Sequence, residues 1–124
     1  MENIIQVDPI GKPRMTRSDK WKKRNCVMRY RAFCDTVREH TGGYLEDVSG
    51  LSIVFHIPMP KSWSIAKKAL AFGKPHTQKP DIDNMCKAFM DAILKDDSCV
   101  HKLNASKVWA SKGAIIYHME KAVK

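Results

Sequence analysis

The stretch from Lys79 to Val100, KPDIDNMCKAFMDAILKDDSCV, constrains the fold more than any other part of the chain. Pro80 disfavours helix in the residue before it, and Asp81 is a type that caps the first free N–H groups of a helix. The spacing predicts a helix from Ile82 onward. Ile82, Cys86, Phe89 and Ile93 fall on one face, which would pack on a sheet. Asp83, Lys87 and Asp91, at i, i+4 and i+8, form a second stripe roughly 130° from the apolar one. Such a helix buries one side and presents a carboxylate–ammonium–carboxylate ladder on another. A short turn after Leu94 then delivers Asp96 and Asp97, just before Cys99-Val100 and the next predicted strand.

The chain carries a formal charge of +9, yet five of its thirteen carboxylates lie in the seventeen residues from Asp81 to Asp97. Each has a plain structural use: a cap, a charge favourable to the helix dipole, an i,i+4 pair on a solvated face. A cap needs one carboxylate, however, not Asp81 plus Asp83 plus a distant Asp96-Asp97 pair. If the turn returns Asp97 to the helix start, three carboxylates meet near one point and repel by roughly several kcal/mol without a cation. Mg²⁺ relieves this. It takes a few carboxylate oxygens and leaves positions for water or a substrate phosphate. Such a site activates water and stabilises charge on phosphate, with Lys87 placed to assist. An EF-hand is excluded, because the loop lacks glycine at its sixth position and glutamate at its twelfth.

Ile4 to Val7 reads as a short strand running into the turn signal Gly11-Lys12-Pro13. Val27, Tyr30, Cys34, Val37 and Thr41 recur at helical spacing and stop at Gly42-Gly43, where glycine suits a left-handed cap. Leu51, Ile53, Phe55 and Ile57 alternate as a strand that ends at Pro58 and Pro60. Ser62 to Phe72 reads as a short helix closed by Gly73, and Lys74 to Lys79 as a loop. Leu103 to Ala110 and Ala114 to Glu120 read as a hairpin around Ser111-Lys112-Gly113. The order predicts a single α+β domain over residues 1–124, with a mixed or mostly antiparallel sheet and helices packed on one face.

The pattern P-D-x-D-N-x-x-K, then D-A-[IL], then D-D-x-x-V resembles the RusA family of Holliday-junction resolvases. The likeness is strongest over Lys79 to Val100 and extends more weakly to GKPRMTRSDKWKKR and Tyr30. It implies a RusA-like fold and a homodimeric, metal-dependent endonuclease that nicks two opposing strands of a four-way DNA junction. Matched by motif, Asp81, Asp83, Lys87 and Asp97 are the implied catalytic residues. Asp81, Asp83, Asp97 and Asp91 are the implied ligands for Mg²⁺, with Mn²⁺ as a substitute. The link from Asp91 to Asp96 is shorter than in some members, which bears on where Asp97 falls. Two rivals stand beside this reading. One is a module that holds branched DNA without cutting it, and the other a metal-dependent nuclease acting on flaps, forks or RNA.

The remaining charge fits a polyanionic partner. From Lys12 to Arg31 there are nine Lys/Arg against one acid. Lys12, Arg14, Arg17, Lys20, Lys22, Lys23 and Arg24 suit contact with a phosphate backbone. The plainer alternative is a solvated charged surface. A second group, which includes Lys74 and Lys79, precedes the acidic motif and suits the channel to it. The start of the chain does not read as a signal peptide, and no apolar run reaches the length of about 20 residues that spans a bilayer. The four cysteines show no C-x-x-C spacing, which predicts reduced thiols and a cytoplasmic protein.

Overall fold

The computed structural model describes residues 3–14 and 24–122. Among the described residues, four strands and three helices follow one another as β1 (Asn3–Ile5), α1 (Asn25–Thr41), β2 (Val48–Pro58), α2 (Ile65–Ala71), α3 (Ile82–Ile93), β3 (Lys102–Ala110) and β4 (Ala114–Lys121). The strands form one mixed sheet in the order β1-β4-β2-β3, with β2 and β3 parallel and the other pairs antiparallel. The fold is therefore α+β, as the sequence predicts.

Strand β2 lies inside the sheet, paired with β4 on one edge and β3 on the other. Leu51, Ile53 and Phe55 alternate with Ser52 and Val54 and are each at most 2% exposed. They join Ile115 and Tyr117 of β4, together with α1 and α3, in one core. Helix α1 buries Val27, Tyr30, Cys34 and Val37 as its spacing predicts, and Phe33 as well. It ends where Gly42, at φ 75°, returns its N–H to the Arg38 carbonyl. The Arg38 guanidinium reaches across to α3 and donates to the carbonyls of Ala92 and Asp91, at 2.9 and 3.3 Å. These are carbonyls that a helix C-terminus leaves without intrahelical partners.

Three expectations are corrected. The segment from Ser111 to Gly113 is not a hairpin turn, because β2 lies between β3 and β4. Four Cα steps reach up to about 14 Å, enough to cross two strand spacings of about 4.8 Å. Gly113 serves a close approach instead: a Cβ there would lie 2.7 Å from Asp8 Cα. The buried face of α3 is also wider than the predicted stripe. Met85, Ala88 and Ala92 are fully buried, whereas Ile82 is only partly so. The helix packs against α1 as well as the sheet, so it is covered from more than one side. Finally, Asp81 occupies the N-cap position of α3 but its side chain makes no capping hydrogen bond.

All four cysteines are free thiols, with Cys34 and Cys86 buried, Cys26 half-buried and Cys99 exposed. Among the described residues no helix is long and apolar enough to cross a membrane.

Candidate active site

A groove of about 460 Å³ runs between α3 and the start of β3. Its apolar lining comes from Ile82, Met90, Leu103 and Ala105, and its charged lining from Asp83, Lys87 and Asp97. The structure thus brings three of the sequence candidates to one place. Asp83 and Lys87 are exposed on the solvent side of α3, one helical turn apart. They form no ion pair with each other, so the ladder is not a chain of i,i+4 bridges.

The Asp96-Asp97 pair divides its work. The Asp96 carboxylate accepts from the Ser98 amide at 3.0 Å, and this bond, with the Ser98 side chain, holds its pKa below the usual range. Asp96 therefore shapes the turn, while exposed Asp97 lines the groove. Asp97 also takes the Val100 amide on its carbonyl at 3.1 Å.

Asp91 stands two turns along α3 from Asp83 and forms an ion pair with Lys12. Lys12 is half-buried there, with its ammonium 6.0 Å from the Tyr30 ring and its own amide bonded to the Asn84 carbonyl at 3.2 Å. Gly11 lets this segment lie close, since a Cβ would sit 3.0 Å from Pro80 Cβ. The two residues that bracket α3 on this side are thereby tied to the front of the chain. Asp81 is exposed two residues before Asp83.

Sequence reasoning missed Lys107. Its ammonium donates to the carbonyls of Gln78 and Pro80, at 2.5 and 2.7 Å, and so fixes the loop that ends at Asp81. The signal was present: in β3 the inward phase reads Leu103, Ala105, Lys107, Trp109, and a lysine among apolar residues on the covered face needs acceptors. Of the predicted DNA contacts, Arg14, Lys74 and Lys79 are exposed, and exposed Arg24 donates to the Arg14 carbonyl at 2.9 Å. Arg17, Lys20, Lys22 and Lys23 lie outside the described residues.

Among the described residues, no three Asp, Glu, His or Cys side chains stand close enough to cage an ion by themselves. The donor set still fits Mg²⁺, which commonly takes one or two carboxylates and completes its shell with water and substrate phosphate. The only thiol lining the groove is that of Cys86, and burial, followed by the charge of Asp83, pushes its pKa up and keeps it protonated. Hard oxygen donors therefore face the groove, and a soft thiolate does not.

Carboxylates and an ammonium on one groove of a basic α+β protein are the equipment of a phosphodiester hydrolase. The family model described as Endodeoxyribonuclease RusA matches residues 6–119, and the chain belongs to the RusA family. It is accordingly a nuclease of a family that acts on branched DNA and generally depends on a divalent metal. No individual curated protein matches the chain.

Proposed function

We propose that this protein is a Mg²⁺-dependent, structure-selective endodeoxyribonuclease that resolves Holliday junctions by paired symmetric nicks, in DNA recombination and repair in the cytoplasm. The observation that carries the reading is the meeting of Asp83, Lys87 and Asp97 at one groove in a RusA-family chain. Asp83 and Asp97, with Asp81 beside them, are the residues that would hold the ion. When bound, Mg²⁺ (or Mn²⁺) supplies a water of lowered pKa and neutralises charge on the phosphate. Lys87 stabilises the negative charge that grows on the phosphoryl oxygens. Asp91, paired with Lys12, orients the helix rather than touching the phosphate. Lys107, bonded to the Pro80 carbonyl, fixes the backbone next to Asp81.

Two matched cuts need two sites, and a C2 dimer supplies them. The sheet face away from α1 and α3 is where we place the second copy. Its centre is a shallow hollow of about 200 Å³ lined by Ser52, Val54, Asn104, Ser106, Ile116 and His118. No Lys, Arg, Asp or Glu lines it, so two chains of charge +9 meet there with least repulsion.

The test is cleavage of a mobile four-way junction beside linear duplex of the same sequence, in Mg²⁺ and in EDTA. Paired nicks in the junction alone, lost in EDTA, are the expected result. Tight junction binding without cleavage under any metal would sink the enzymatic reading.

A further inference from the structure

Helix α2 buries none of its side chains. Its outward side carries Ile65, Ala66, Ala69, Leu70 and, at its C-cap, Phe72, all exposed, with Ile65 89%, Leu70 70% and Phe72 60% open to solvent. The less exposed side carries Lys68 and Ala71, both half-buried, while exposed Lys67 lays its ammonium 4.3 Å from the centre of the Trp63 ring. Yet the residues on either side of the helix are anchored on β3. Trp63 packs on Trp109 of β3 at 4.8 Å, His76 packs on the same ring at 4.4 Å, and Gly73 donates to the Trp109 carbonyl at 2.9 Å. A soluble helix that holds apolar side chains outward on a fixed mount has something to cover them.

Charge and size choose the occupant. The segment from Lys61 to Pro80 has five lysines and no acid. A second copy would meet like charge there. Three such side chains offer on the order of 400 Å², about half of the 800 Å² per partner that a stable protein interface takes. DNA needs less, since isolated Phe, Leu or Ile wedges enter base steps while lysines hold the flanking phosphates. Position agrees. Ala105 lines the groove, and Trp109, four residues along the same face of β3, carries the arm. That is about 13 Å, or roughly four base steps of duplex.

We propose that the α2 arm is a wedge for the branch point, placing Phe72 and Leu70 against a base that unstacks where the arms of a junction part. This rests on the proposed function and adds the element that tells branched DNA from duplex. Exposed Lys61, Lys74 and Lys79 take the phosphates on either side.

The test uses the full chain and four-way junctions carrying 2-aminopurine at each branch-point base, with Ca²⁺ replacing Mg²⁺ so that strands stay intact. Wild type raises the fluorescence of at least one branch base. The F72A/L70A double variant loses that rise, and its junction-over-duplex affinity ratio falls about tenfold or more. Phe72→Trp retains both. A wild type that nicks junctions in Mg²⁺ but leaves every branch base stacked overturns the wedge and leaves the nuclease standing. So does an undiminished rise in the double variant, or its conversion from dimer to monomer in light scattering, which would make α2 a protein interface. A wild type that neither binds nor nicks four-way junctions removes the proposed function and the wedge together.

Discussion

Asp83 and Asp97 are fourteen positions apart and line one groove; Asp83 and Asp91 are eight apart on one helix, yet only Asp83 lines the groove while Asp91 pairs with Lys12. Substituting Asp83→Asn should lower nicking by at least about a hundredfold, the loss typical of one transition-state contact. Junction binding should hold or tighten, because a negative charge facing phosphate is gone. Nicking at the wild-type rate would remove Asp83 from the metal site. A second prediction concerns His76, which is 4% exposed with its Nδ1 unpartnered. Burial, followed by the nearby charge of Lys107, lowers its pKa below the ordinary value. The unfolded chain binds that proton below about pH 6.5, whereas the native chain resists it. The stability contributed by neutral His76 is therefore complete above about pH 6.5 and is lost as pH falls toward the lowered native pKa. Urea midpoints should drop between pH 7 and pH 5, and His76→Phe should flatten part of that drop. An identical slope in the variant would count against it. At this scale the helix periodicity made Asp83, Lys87 and Asp91 legible. The Lys12–Asp91 pair was not, because it joins residues 79 apart whose meeting is decided by packing.

Each helix and strand has a local signal, but the neighbours of a strand are chosen by burial. Ser111-Lys112-Gly113 has the composition of a hairpin turn, and β3 and β4 have the alternation to match. What decides the order is long-range pairing: β2, the longest strand, pairs with β4 on one edge and β3 on the other, and so lies between them. A local pattern cannot report that competition. Gly113 gives a direct check. Gly113→Ala would press a methyl group into the Asp8 backbone, and should destabilise the protein by about 1–3 kcal/mol, seen as a lower melting temperature. An unchanged melting temperature would mean that the Asp8 segment yields freely. Helix α2 was legible as a helix, with Ser64 accepting the Lys67 amide at 3.1 Å as an N-cap. Its lack of any buried side chain was not, because seven residues carry too little periodicity to say which side faces in.

For the whole molecule, composition carried the most. A charge of +9 on 124 residues makes DNA binding steeply salt-dependent. Log K should fall with log salt by about 0.9 for each phosphate neutralised. A flat response from about 50 to 300 mM would remove the basic surface from the DNA contact. In light scattering the protein should run as a dimer, and Val54→Glu, in the uncharged hollow of the outer sheet face, should shift it toward monomer. A dimer unmoved by that change would place the interface elsewhere. The parallel pairing of β2 with β3 has a further consequence, one of timing. The crossover between them holds α2, α3 and the acidic motif, and the sheet is complete only when β4 takes its place between β1 and β2. During synthesis, the carboxylates leave the ribosome before β3, which forms the wall opposite them, and before β4, which completes the sheet. Non-local pairing of this kind forms slowly. An interrupted chain would therefore carry the acids of a nuclease without the rigid cleft that makes them dangerous to DNA.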